Sequence, residues 1–156
     1  MLKRKIEGIL ERFHSDPSRK ALLLTGTRQV GKTFSVREFA KSHYDVFVEF
    51  NLIRDAGARA VFEKADDARD VLLRISAMAR KRLVPGKTLI FLDEVQACPE
   101  AVDNLMSERA FAIPCAWVLS GNGEVIKEGN VIYMPVYFMM FLKRDAFDKP
   151  LIYKVE

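Results

Sequence analysis

An apolar run, Lys20-Ala21-Leu22-Leu23-Leu24-Thr25, leads into Gly26-Thr27-Arg28-Gln29-Val30-Gly31-Lys32-Thr33, and an amphipathic stretch to Ser42 follows. The middle segment has the spacing G-x-x-x-x-G-K-[ST] of a phosphate-binding (Walker A) loop. Its glycines let the backbone wrap an anion, so that several N–H groups converge on phosphate oxygens. Lys32 adds a positive charge toward the outer phosphates, and the Thr33 hydroxyl is placed to ligate Mg²⁺. The flanks predict a buried strand before the loop and a helix over Thr33–Ser42 after it. A strand delivering a loop to a helix N-terminus is an anion site by geometry and by dipole.

A second segment complements the first. Thr88-Leu89-Ile90-Phe91-Leu92 is continuously apolar, as in a parallel strand covered on both faces. It ends in Asp93-Glu94. A carboxylate at that end can hold a metal with the loop hydroxyl, and a neighbouring one can orient and deprotonate a water. Open α/β sheets bind ligands at the carboxyl edge of their strands. The strand Ala116-Trp117-Val118-Leu119-Ser120 ends in Ser120-Gly121-Asn122, and either Ser120 or Asn122 could reach a terminal phosphate or the attacking water.

The remaining chain fits an α/β alternation. Periodicity predicts an opening helix over Leu2–His14, a strand over Asp45–Asn51, and a short helix over Ala58–Lys64. A longer helix over Asp66–Leu83 follows, capped by Asp66 or Asp67, then a turn at Val84-Pro85-Gly86-Lys87. Pro99 opens a helix to about Ala110. Gly121 to Gly129 is turn-rich, Val131–Val136 is expected as a fifth strand, and Phe138–Leu142 as the start of another helix. Strands alternating with helices predict a three-layer αβα sandwich with a mostly parallel five-stranded sheet. The 156 residues suit one domain, with 1–18 as an N-terminal helical segment and 121–156 as a divergent or truncated end.

Composition excludes several classes. Two cysteines, Cys98 and Cys115, with no C-x-x-C pair, supply neither a disulfide framework nor a zinc motif. His14 and His43 are isolated in sequence and read as surface or helix-end residues. The longest apolar run, Val131 to Leu142, is too short to span a bilayer and contains Pro135. With no secretory signal in view, a cytoplasmic setting is expected. The formal charge of +4 comes partly from Lys3-Arg4-Lys5, Arg19-Lys20 and Arg80-Lys81-Arg82, and supports nucleic-acid contact only weakly.

Taken together, Leu24 to Thr33, Val48-Glu49-Phe50-Asn51, Leu89 to Gln96 and Cys98-Pro99-Glu100 resemble the prokaryotic AAA-type ATPases that carry an extra C-terminal domain of unknown function. The resemblance runs from about Ile6 to Gly121. It implies a P-loop NTPase core of the AAA+ superfamily, with ATP and Mg²⁺ as ligands and ATP hydrolysis as the activity. It places Lys32 and Thr33 on the phosphates and metal, Asp93 on the metal, Glu94 on the water, and Asn122 as the sensor. Beyond Gly121 the chain departs from the pattern. Asn122 replaces a serine, Asn130 replaces a basic residue, Met140 stands where an acid is usual, and the C-terminal domain is absent from these residues.

Four functions are compatible with this pattern, the fourth being DNA binding through the basic helices. One is slow Mg²⁺-dependent ATP hydrolysis, and another is a nucleotide-dependent binding module acting on a protein or DNA partner with little turnover. A small-molecule phosphotransferase is the third. It would want a basic lid after the fourth strand, where Gly121 to Leu142 offers only Lys127. If the apolar run 131–142 is an uncovered face, it predicts self-association or a protein partner.

Overall fold

Alternation along each strand decides the architecture. In β1 (Ala21–Thr25) all five residues are buried. Ala21 and Leu23 join one hydrophobic cluster, and Leu22 and Leu24 join the other. The same split recurs in β3 (Thr88–Asp93), where Ile90 and Leu92 oppose Leu89 and Phe91. In β4 (Ala116–Ser120), Trp117 and Leu119 oppose Ala116 and Val118. A strand with two apolar faces must lie between two layers, because successive side chains point to opposite sides.

The computed structural model describes residues 5–16, 21–25, 31–66, 68–98, 100–101, 115–121, 126–128, 131–134, 138–141 and 152–154. One layer consists of α1 (Lys5–Ser15) and α2 (Lys32–His43), which bury Ile6, Leu10, Phe13, Val36 and Phe39 on one sheet face. The other consists of α3 (Ala56–Lys64) and α4 (Ala68–Ala79), which place Val61, Phe62, Val71 and Ile75 against the opposite face. Each fully buried Leu, Ile or Phe contributes about 1.5–3 kcal/mol relative to exposure. The two clusters are therefore the main source of stability.

With β2 (Val46–Asn51) and β8 (Ile152–Lys154), the central sheet has the order β2-β3-β4-β1-β8, and every pairing in it is parallel. The expected αβα fold with a five-stranded sheet is present, but its fifth strand is not Val131–Val136. Residues Val131–Met134 form β6, between β5 (Ile126–Glu128) and β7 (Phe138–Phe141), in a separate antiparallel sheet. The helix expected from Phe138 is thus a strand. Val131 pairs with Phe141 and Met134 with Phe138. So short a connection can only reverse the chain, since parallel pairing needs a crossover of a dozen residues or more.

Two helix ends also differ from expectation. α4 stops at Ala79 rather than continuing to Leu83, because Arg80 adopts φ 51°. The Lys81 N–H then donates to the Ser76 carbonyl and the Arg80 N–H to the Ala77 carbonyl, which is the Schellman closure. α3 begins at Ala56 because the Asp55 carboxylate accepts the Ala58 N–H at 3.0 Å. Asp55→Ala should cost about 1 kcal/mol in urea unfolding, the usual worth of such a cap. Of the helix expected after Pro99, residues 100–101 are helical and 102–110 lie outside the described residues. Asp67 lies outside them as well.

His14 and His43 do end their helices, but the fold brings them together. Their ring centroids lie 5.1 Å apart, and His14 Nδ1 is 3.1 Å from the Tyr44 hydroxyl. Phe39 stacks on His43 in the same aromatic cluster, which ties α1 to α2.

Candidate functional site

Two strand ends and one helix start meet at the carboxyl edge of the sheet. Gly31 has φ 85° and ψ 17°, a left-handed conformation that any Cβ disfavours, and α2 starts at the next residue. Gly31, the N-cap residue, supplies no side-chain cap to that helix. Lys32 is the first helical residue and is only 6% exposed. Burial pushes its ammonium below the ordinary lysine value, while the carboxylates of Asp93 and Glu94 pull it back up.

Asp93 ends β3, and its carboxylate is shared. Oδ2 accepts the Thr33 hydroxyl at 2.8 Å, and Oδ1 accepts the Glu94 N–H at 2.9 Å. Burial raises the Asp93 carboxyl above the ordinary range, and these two hydrogen bonds act against that rise. Glu94 follows with φ 55° and ψ 45°, a left-handed backbone at a residue with a side chain. Such strain costs on the order of 1–3 kcal/mol and persists where the surroundings over-determine it. The Asp93 carboxylate holds the Glu94 N–H, and the buried Gln96 amide donates to Glu94 Oε2.

The third wall comes from β2. Asn51 is in register with Asp93, and the Leu52 N–H continues the pairing onto the Asp93 carbonyl at 2.9 Å. Asn51 Oδ1 accepts the N–H groups of Ile53 and Arg54 at 3.0 and 3.2 Å. Arg59 Nη1 donates to the carbonyls of Leu52 and Ile53. Nearby, Arg37 of α2 makes a two-point ion pair with Glu49 of β2, at 2.8 and 2.6 Å.

Together these groups enclose an open cavity of about 570 Å³, lined among others by Gly31, Lys32, Thr33, Asn51, Arg54, Asp93 and Glu94. The sequence motifs foresaw four of its side chains: Lys32, Thr33, Asp93 and Glu94. They gave no sign of Arg37, Ile53 or Arg54. The one local signal for that wall was Asn51 at a strand end, directly before a turn. Gly26, Thr27, Arg28, Gln29, Val30 and Asn122 lie outside the described residues. Ser120 ends β4 fully buried, and its Oγ has no hydrogen-bond partner among the described residues.

The oxygen pair of Thr33 and Asp93 suits a hard divalent cation. Mg²⁺ takes oxygen ligands at 2.0–2.1 Å in an octahedron, whose adjacent corners are about 2.9 Å apart. The two oxygens are 2.8 Å apart through their hydrogen bond, close enough for both to ligate one ion. Both residues line a cavity that also holds a buried lysine, so the donor chemistry fits a metal–phosphate complex.

Residues 18–131 match the family described as AAA domain, which is most of the chain and contains every part of this edge. The chain belongs to the AAA domain family. It is accordingly a nucleotide-binding module with an AAA-type P-loop ATPase core. Among solved structures it is similar to the Orc1 protein of Aeropyrum pernix in complex with DNA. That alignment has 18% identity and a TM-score of 0.47, and covers 76% of this chain and 37% of the other. It is also similar to the Drosophila ORC bound to DNA, at 13% identity and TM-score 0.48, covering 96% of this chain and 40% of that one. The AAA domain thus spans less than half the length of either structure. No curated protein matches it. Among the described residues no helix is long and apolar enough to cross a membrane.

Proposed function

We propose that this edge binds ATP with Mg²⁺ and hydrolyses it slowly. The observation that carries the proposal is the 2.8 Å contact between the Thr33 hydroxyl and the Asp93 carboxylate, beside a buried lysine. It joins the loop-helix element to the acidic strand end, the two parts a metal–triphosphate complex requires. In this proposal Lys32 and the backbone N–H groups of residues 26–33 hold the phosphates. Thr33 and Asp93 hold the metal, and a bound Mg²⁺ supplies neutralisation of charge on the outer phosphate oxygens.

Glu94 orients the attacking water and accepts its proton. The water oxygen bonds to the γ-phosphorus as the bond to the β–γ bridging oxygen breaks, leaving ADP and inorganic phosphate. The strained backbone at Glu94 and its Gln96 contact support this role, because a water-positioning carboxylate must be held rather than mobile. Asn122 contacts the γ-phosphate from beyond the end of β4; Ser120, the other candidate, is fully buried and does not line the cavity.

Calorimetric titration with ATP tests the proposal. Binding is expected with Mg²⁺ present and about tenfold weaker in EDTA, a difference of about 1.4 kcal/mol. No heat of binding in either buffer would overturn it.

A further inference from the structure

The cations around the cavity are unequally committed. Arg37 lines it, but its guanidinium is occupied by both oxygens of Glu49. Arg59 lies behind the wall and donates to two backbone carbonyls. Arg54 differs from both. Its backbone N–H is pinned by Asn51 Oδ1, and the following Asp55 N–H donates to the Asn51 carbonyl at 2.9 Å. Its side chain lines the cavity, is exposed, and has no hydrogen bond or ion pair among the described residues.

The turn that carries Arg54 is rigid. Leu52 is fully buried beneath it, Arg59 braces two of its carbonyls, and Asp55 caps the helix that leaves it. The turn thus sets Arg54 in the lining of a cavity that also holds Asp93 and Glu94, with an ion pair to neither. Arginine is the side chain best matched to phosphate oxygens, through charge-assisted hydrogen bonds from a planar fork. Arg54 also stands on the acid-pair side, since Asn51 is the register partner of Asp93. The terminal phosphate must sit on that side if Glu94 is to act on a water beside it.

We propose that Arg54 reads the terminal phosphate, so that the cavity distinguishes a nucleoside triphosphate from a diphosphate. The inference rests on the ATP-binding proposal above and adds a residue to it. On this assignment a diphosphate lacks the group that Arg54 contacts, and its affinity should not depend on that side chain. In phosphoryl transfer the same contact would stabilise charge spread over the transferred group.

The test is equilibrium binding of the non-hydrolysed analogue AMP-PNP and of ADP, each with Mg²⁺. The full chain is compared with Arg54→Ala, Arg54→Lys and Lys32→Ala, and thermal melts confirm that each variant is folded. Arg54→Ala should weaken AMP-PNP about tenfold, the low end for a hydrogen bond to a charged group, and leave ADP unchanged. Arg54→Lys should recover part of the loss. If Arg54→Ala leaves the AMP-PNP to ADP ratio as in the parent while Lys32→Ala abolishes both, the Arg54 assignment is overturned and ATP binding stands. Equal weakening of both ligands by Arg54→Ala overturns it as well. If the parent chain binds neither ligand, the two proposals fall together.

Discussion

Lys32→Ala should weaken MgATP binding by about a hundredfold or more, which corresponds to on the order of 3 kcal/mol. Lys32 is 6% exposed and lines the cavity, so part of the cost of desolvating it is met before a ligand arrives. The phosphates then gain its charge at a reduced desolvation cost. Lys32→Arg should fail nearly as badly, because the larger planar head does not fit the space of a buried ammonium. Unfolding can be separated from this loss by its sign. The folded state lowers the Lys32 pKa, so it disfavours the charged form, and the unfolded chain holds that proton more tightly. The resulting penalty is fully present below the folded pKa and fades as pH rises toward the unfolded value. Lys32→Met, which keeps the aliphatic packing, should therefore melt at or above the parent temperature at neutral pH while still failing to bind. ATP affinity unchanged in Lys32→Ala, measured by calorimetry, would remove the basis for the site.

Glu94→Gln should cut phosphate release by about 10²–10⁴-fold, the usual contribution of a positioned general base, while ATP affinity is retained. The substitution is nearly isosteric, so the backbone at φ 55° and the contact with Gln96 can both persist. What disappears is the ability to take a proton from water. The variant should accumulate bound ATP where the parent accumulates ADP, and rapid filtration followed by nucleotide chromatography reads this directly. Equal turnover in parent and variant would exclude Glu94 from the chemistry. A parent that binds ATP tightly but releases no phosphate would favour a nucleotide-gated binding module.

The parts legible in the sequence were those whose signal is local. β1, β3 and β4 are continuous apolar runs, and a run buried on both faces has few other interpretations. Lys32, Thr33, Asp93 and Glu94 were legible because fixed spacing and a strand end dictate what such side chains can do. The parts that were not legible depend on distant partners. Ile152–Lys154 becomes the fifth strand only by pairing with β1, and nothing within those three residues announces it. Phe138–Phe141 has no period to separate helix from strand, and the hairpin with Val131–Met134 decides the matter. Arg80 ended a helix in a conformation usually left to glycine. Asn51 and Arg54 entered the site because β2 lies in register with β3, a fact of pairing rather than of composition.

That pairing order has a consequence for how the protein comes into being. β1, which feeds the anion-binding element, lies between β4 and β8, so Leu23 needs both Leu119 and Ile152 as neighbours. As the ribosome extends the chain, the nucleotide loop emerges long before either of its flanking strands. Assembly of the loop's platform is thus a late event, dominated by contacts between residues far apart in sequence, and such topologies fold slowly. Until β4 and β8 arrive, β1 offers two unpaired edges of leucine-rich backbone to any other extended segment nearby.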